Sequence, residues 1–218
     1  LMIALHEGNA VVLGIFPRLF TSEGSVLYSS RAFQRGHDGQ GLGTYVLGKG
    51  IQLQQEESAK AHRSLHWGNL MTQNELSIYT LYKLKEAGII EKIFPFDSLY
   101  DEAEEEEKDI DTDAARHIML DMHNRFHIDS MGINTVTGVS KAELRELGAN
   151  ETYRRPPENP ELLEIYNRMV KAPTWSNHRN LYMHLPDGDV VYTTFKLKKL
   201  GNGGANSEIL ETLDEEAA

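Results

Sequence analysis

Short apolar runs separated by glycines dominate the first third of the chain, and this pattern predicts strands joined by turns. Residues 9–16 are almost wholly apolar and stop at a proline, as expected for a short buried strand. Residues 25–28 and 44–47 are shorter candidates, and residues 51–54 alternate apolar and polar positions with the period of a half-buried strand. Six glycines between residues 36 and 50 predict a turn-rich β region.

A helical pattern replaces this alternation in the middle of the chain. Thr72 and Glu75 have the spacing of a capping box, in which the two side chains satisfy free backbone N–H groups at a helix start. Apolar residues then recur at helical intervals as far as Gly88, so we predict a helix over 72–88. Capping residues and apolar faces predict three more helices, at 114–127, 140–148 and 160–170.

A β-hairpin is predicted near the end of the chain. Two strand-like runs, 181–185 and 190–197, flank the turn sequence Pro-Asp-Gly-Asp at 186–189. Proline presets the turn dihedral angle, and Gly188 accepts a left-handed one. A glycine-rich and then acidic sequence follows this hairpin and is typical of a flexible tail.

These elements together predict an α+β protein. It has a turn-rich β N-terminal third, a helical middle, a C-terminal β-hairpin and a flexible acidic tail. We expect one globular domain with extensions. Its parts are a β-rich region at 1–100, an acidic linker at 101–113, helices and the hairpin at 114–200, and the tail at 201–218.

Composition and charge exclude several classes of function. The chain has 218 residues, of which 40% are hydrophobic and 25% charged, as in globular proteins. It contains no cysteine, which excludes disulfides, thiolate catalysis and thiolate metal sites. The net charge of −11 arises wholly beyond residue 100, mostly in 101–113 and 208–216. Because nucleic-acid binders concentrate positive charge, we expect no direct nucleic-acid binding.

The expected location of the protein is intracellular. No stretch of the sequence approaches the ~20 apolar residues that a membrane helix requires, so no membrane span is predicted. Residues 9–36 carry three arginines against one acid, a composition that resembles a mitochondrial transit peptide. Mitochondrial import is therefore the alternative, but it is not favoured.

Two pairs of histidines are the candidate metal ligands. His62 and His66 are four residues apart, as are His123 and His127, and this spacing places two imidazoles on one face of a helix. Neither pair encloses the glutamate of a His-Glu-x-x-His motif. The favoured interpretation is therefore that the protein has no cofactor. A divalent transition metal held by these histidines is the alternative.

A third set of residues at four-residue spacing lies between the histidine pairs. Asp113, His117 and Asp121 share one helix face. This face differs from that of His123 and His127, because the six residues between His117 and His123 correspond to a rotation of about 240°. One helix therefore cannot gather all three histidines around one ion.

The glycine cluster at 36–43 invites comparison with a phosphate-binding loop. Such loops follow a strand and lead into a helix N-terminus, whereas these glycines lead into the predicted strand at 44–47. A flexible turn is therefore the favoured interpretation. A small-ligand pocket near residues 36–50 is the alternative.

A candidate interface precedes the predicted hairpin. It consists of Trp175, Asn177, His178 and Arg179, since tryptophan and arginine are the usual anchors of protein interfaces. The favoured alternative is that Trp175 fills the core beneath the hairpin, because large aromatic side chains are mostly buried.

We therefore expect a non-enzymatic structural or adaptor subunit of a larger assembly, with other protein subunits as its partners. Segments of opposite charge along the chain can steer and orient such contacts. A metal-dependent hydrolase or nuclease with His and Asp ligands is one alternative function, and a small-ligand binding domain is another.

Overall fold

The computed structural model describes residues 2–6, 9–33, 41–72, 75–97, 110–126, 132–140 and 190–199. These residues form two β-sheets and three helices, so the predicted α+β class is confirmed. The helices are α1 (Leu42–Lys60), α2 (Glu75–Glu86) and α3 (Ile110–Phe126). Among the described residues, no helix has the length and hydropathy needed to cross a bilayer.

The smaller sheet is antiparallel and comes from the N-terminal part of the chain. Its strands are β1 (Met2–His6), β2 (Asn9–Ile15) and β5 (Ser30–Phe33), with β2 in the centre. Helix α1 contacts both β1 and β2. The predicted strand at 9–16 is thus confirmed as β2.

The larger sheet is mixed and has β10 (Val190–Leu197) at its centre. Its other strands are β3 (Arg18–Thr21), β4 (Gly24–Tyr28), β6 (Trp67–Thr72), β7 (Ile90–Phe94), β8 (Ile133–Asn134) and β9 (Val139–Ser140). The order is β3-β4-β6-β10-β9-β8, and β7 also pairs with β10. Strands β4 and β6 run parallel, whereas the other pairs are antiparallel.

Both faces of the larger sheet are covered, which explains why β10 is a nearly continuous buried run. Val191 and Phe195 belong to the core cluster shared with α1 and α2. Val190 and Tyr192 belong to the cluster on the opposite face, beneath α3. This alternation follows from the two-residue period of a strand.

The sequence predicted strands at 44–47 and 51–54, and this is the largest difference from the observed fold. One helix covers both segments. Leu47, Ile51, Gln55 and Ser58 are buried at intervals of three or four positions, which is the helical period. Val46, Gly48 and Gly50 are buried beside them. The alternation at 51–54 was too short to distinguish the two periods.

Close packing explains one of the α1 glycines. A Cβ atom added at Gly50 would lie 2.7 Å from the ring of Phe16, and one added at Gly14 would lie equally close to the same ring. Phe16 therefore packs into the space left by two glycines, one on β2 and one on α1. Here glycine marks a close approach rather than a turn.

The other sequence predictions fared differently. The helix predicted at 72–88 is confirmed in part as α2, which covers Glu75–Glu86, whereas Thr72 ends strand β6. Gly88 has the left-handed φ of 74° expected after a helix. Helix α3 begins at Ile110, earlier than the predicted 114, and so includes the end of the predicted linker. Ser140 is the last residue of β9, and the rest of the helix predicted to start there lies outside the described residues.

Several predicted elements lie outside the described residues. These are the strand at 181–185 with its turn, most of the helix at 140–148, the helix at 160–170, the linker before residue 110 and the tail at 201–218. The strand at 190–197 is confirmed as β10, but its predicted hairpin partner is not described. The predicted domain boundaries stay predictions.

Candidate functional site at the edge of the larger sheet

Strand β3 forms one edge of the larger sheet, as far as the described strands extend. It pairs with β4 through a two-residue turn, Ser22 and Glu23, that follows Thr21. The N–H of Tyr28 donates to the carbonyl of Pro17 at 2.9 Å. Because hydrogen-bonded positions alternate along an antiparallel pair, Arg18 and Phe20 direct their backbone groups away from β4.

Helix α3 holds this hairpin through residues spaced by four along one face. Asp121 Oδ2 accepts hydrogen bonds from both the N–H and the hydroxyl of Ser22, each at 2.7 Å. His117 Nδ1 lies 2.8 Å from a carboxylate oxygen of Glu23. We call this set of contacts, together with that of Arg125 described next, the α3 clamp.

Arg125 completes the α3 clamp on the edge strand itself. Its guanidinium donates a 2.8 Å hydrogen bond to the carbonyl of Phe20. That carbonyl points to the outer side of β3, where another strand would otherwise pair. The arginine therefore occupies one of the backbone acceptors at the sheet edge.

The Phe20 side chain is exposed, with 61% of its surface accessible. Its neighbour Leu19 packs in the opposite direction, against the core beneath α3. Behind the hairpin, the rings of Tyr28 and Phe126 lie 4.9 Å apart. The site thus presents an exposed phenyl ring on a strand that several side-chain contacts hold in place.

A second strand residue ties the site to α1. The guanidinium of Arg18 donates to the carbonyl oxygen of Gln54 at 3.4 Å and to its side-chain oxygen at 3.3 Å. Two helices on opposite faces of the sheet therefore contact β3. This arrangement limits the movement of an edge strand that is only four residues long.

A buried polar group lies between α3 and the sheet. His123 is 3% exposed, its Nδ1 lies 3.0 Å from the hydroxyl of Ser140, and its ring meets that of Tyr192 edge-on at 5.8 Å. Desolvation raises the pKa of Tyr192 and, less strongly, that of Tyr28 above the ordinary tyrosine range.

The pair of Ser140 and His123 is the beginning of a nucleophile-and-base arrangement. Both side chains are buried in the contact between α3 and the sheet. In this conformation they join helix to sheet and do not face a bound substrate. We therefore assign them to the packing of α3.

Three of the four candidate metal ligands are among the described residues. His62 follows α1 with a left-handed φ of 52°, and His66 immediately precedes β6. Because the chain between them is not helical, they do not share a helix face. His123 is buried as described, and His127 lies outside the described residues. Among those residues, no group of three or more His, Asp or Glu side chains could hold a metal ion. The metal hypothesis stays a prediction.

The candidate interface predicted from the sequence is not among the described residues. Trp175, Asn177, His178 and Arg179 are outside the described residues, so that interface also stays a prediction. The Phe20 site was missed, because exposure of one aromatic residue in a strand leaves no sequence signal. The four-residue spacing of His117 and Asp121 was the available clue, and Arg125 continues it.

The glycine cluster at 36–43 has a different context from the one predicted. It follows β5 and leads into α1, with Gly41 at a left-handed φ of 75° just before the helix. The order strand, glycines, helix is the one that phosphate loops have. The predicted strand at 44–47, which had disfavoured such a loop, is thus part of a helix. Residues 34–40 are not described, and the ligand hypothesis stays a prediction.

Searches against protein-family models, curated proteins and solved structures found no match for this chain.

Proposed function

We propose that the protein is a non-enzymatic structural or adaptor subunit that acts through protein–protein contacts, and that the β3–β4 hairpin is one of its contact surfaces. The observation that carries this proposal is the exposure of Phe20 on an edge strand. Edge strands with exposed apolar side chains promote unwanted association unless they are covered or used.

The α3 clamp favours a specific contact over open-ended pairing of strands. Arg125 occupies the outward carbonyl of Phe20, which hinders the addition of a further strand there. The phenyl ring itself stays exposed. A partner would therefore gain more by packing a pocket around the ring than by extending the sheet. Aromatic side chains are frequent anchors of this kind.

Preorganisation also supports this proposal. Ser22, Glu23 and Phe20 are held by three residues of α3 before any partner arrives. A fixed hairpin loses less conformational entropy on binding than a loose one does, so more of the contact energy appears as affinity.

Site-specific photo-crosslinking tests this function. A photoreactive phenylalanine analogue replaces Phe20 in the full chain within its own source, and the same analogue replaces Val136 as a matched control. Val136 is 50% exposed but lies between β8 and β9, at the opposite end of the larger sheet. We expect one protein adduct of constant mass from position 20 and none of that mass from position 136. Equal adducts from both positions, or none from position 20, would contradict the proposal.

A further inference from the structure

Two stretches without acidic residues meet at one end of the larger sheet. Among the described residues, 58–72 and 190–199 contain no Asp or Glu, although the chain as a whole has a net charge of −11. Strand pairing brings them together, because Lys196 of β10 lies opposite Trp67 of β6. The N–H of Leu197 also donates to the carbonyl of His66 at 2.8 Å.

A concave surface lies where these stretches meet the end of α1. We call it the basic cleft. It has a volume of about 310 Å³, and its lining residues are Gln55, Ala59, Ser64, Leu65, His66 and Lys199. The Gln55 amide donates to the carbonyl of Lys198 at 2.8 Å and so fastens the end of β10 to α1.

The cations around the basic cleft fall into two groups. Lys60 and Lys196 form ion pairs: Lys60 with Glu57 at 2.7 Å and Lys196 with Asp111 at 2.7 Å. Arg63, Lys198 and Lys199 are exposed and form no ion pair within the described part of the chain. In a chain with eleven excess negative charges, this grouping of uncommitted cations leaves a local positive field.

The neighbouring acids offset only part of that field, because Glu57 is paired with a lysine and Glu56 contributes a single negative charge. Glu57 is already bonded to Lys60, which lowers the pKa of its carboxyl group and keeps it ionised within the pair. Glu56 accepts a hydrogen bond from Gln52 at 2.8 Å, one turn back along α1. The lining of the basic cleft offers Lys199 together with the polar groups of Ser64 and His66, and the exposed Arg63 directly precedes Ser64 in the chain.

We propose that the basic cleft binds an acidic, extended segment of a partner protein. This inference rests on the proposed function, and it names the chemistry of one partner. Carboxylates would pair with Arg63, which can engage both oxygens of one group, and with Lys199. Leu65, which lines the cleft, offers an apolar surface for the carbon atoms of the segment.

The overall charge of the chain favours an acidic peptide over a nucleic acid. Duplex DNA carries one negative charge per about 1.7 Å, and its binding needs many phosphate contacts. Three uncommitted cations do not make a continuous track, and a long polyanion would also meet the acidic remainder of the chain. A short peptide would contact the basic cleft alone.

Fluorescence anisotropy with labelled probes tests this inference on the full chain. The probes are a synthetic peptide of about ten residues alternating Glu and Ala, its Lys counterpart, and a single-stranded oligonucleotide of equal charge. The test variant carries Arg63→Glu and Lys199→Glu. The control variant carries Lys49→Glu and Lys83→Glu, which change the net charge equally but lie on α1 and α2 away from the cleft. A further form has the acids of 208–216 replaced by their amides, to remove competition from the chain itself.

We expect the acidic peptide to bind, and the test variant to weaken its binding at least tenfold while the control variant changes it less than twofold. Binding should also fall as salt rises, because exposed charges are screened. Three outcomes would overturn the inference: no binding to any form, equal weakening by both variants, or tighter binding of the oligonucleotide than of the peptide. Loss of this inference would leave the adduct from position 20 unaffected, so the two proposals fail separately.

Discussion

The guanidinium of Arg125 donates a 2.8 Å hydrogen bond to the backbone carbonyl of Phe20, so the last turn of α3 covers part of the edge strand β3. This contact links residues 105 positions apart. The packing of α3 therefore affects how accessible the edge strand β3 is, and single substitutions can test both properties.

Removal of the arginine should increase self-association. In Arg125→Ala the carbonyl of Phe20 loses its donor, and the outward side of β3 becomes able to pair with another strand. We expect more dimer and larger species in light scattering as protein concentration rises. Arg116→Ala is the matched control, because Arg116 lies on the same helix and contacts only Asp113 among the described residues. Equal behaviour of the two variants would show that Arg125 does not protect the edge.

The two hydrogen bonds that Asp121 accepts from Ser22 should contribute measurably to the free energy of unfolding. Asp121→Ala removes two hydrogen bonds from Ser22, and we expect the free energy of unfolding to fall by about 1 kcal/mol, at the lower end for charged partners because the contact is exposed. Urea denaturation gives the value. Asp113→Ala, on the same face and paired only at 3.5 Å, should cost less. A double variant with Ser22→Ala should be less destabilised than the sum of the single variants.

The packing of Phe16 between two glycines predicts a compensating pair. Gly50→Ala places a methyl group 2.7 Å from the phenyl ring, so we expect a loss of about 1–3 kcal/mol although alanine favours helices. Phe16→Leu in the same chain removes the ring that obstructs the methyl group. Chemical denaturation of both single variants and the double variant should show a favourable coupling. If the losses of the two single variants simply add in the double variant, the strain in Gly50→Ala does not come from the ring of Phe16.

Alkaline pH should destabilise the fold through Tyr28 and Tyr192. Burial raises the pKa of both phenols, so the unfolded chain releases their protons at a lower pH than the folded chain does. Their contribution is therefore complete below about pH 10 and is lost above it, by at most about 1.4 kcal/mol per pH unit for each group. Denaturation midpoints between pH 9 and pH 11.5 should show a shallower decline in Tyr192→Phe than in the natural chain. Parallel curves would refute this assignment.

Sequence patterns predicted the fold class and several of its elements for clear physical reasons. The strand at 190–197 was visible because burial on both faces of a sheet demands a continuous apolar run. The helix at 72–88 was visible because its apolar residues recur at helical intervals and a glycine follows the last of them. Such signals arise within the element itself.

Helix α1 shows where local signals fail. Residues 44–47 include two β-branched residues and one aromatic residue, and glycines surround them, which favours strands and turns. The helix forms because α1 contacts strands of the smaller sheet while also packing in the core shared with the larger one. That benefit depends on distant residues such as Phe16. Tertiary packing thus outweighed intrinsic propensity.

The candidate site was even less predictable. The helical stripe containing His117 and Asp121 was recognised, but its partners Ser22 and Glu23 lie about a hundred residues away. The four-residue spacing shows that side chains share a face and does not show what they contact. Likewise, His62 and His66 have metal-like spacing, yet α1 ends before them.

Native mass spectrometry of the protein isolated gently from its own source tests the central claim most directly. The natural chain is compared with Phe20→Asp and with Val136→Asp, which has the same change of charge at the other end of the larger sheet. We predict a stoichiometric complex with another protein for the natural chain and for Val136→Asp, and its loss for Phe20→Asp, with circular dichroism unchanged in all three. A monomer in every case, or a complex that survives Phe20→Asp intact, would contradict the assignment of the β3–β4 hairpin as a subunit contact.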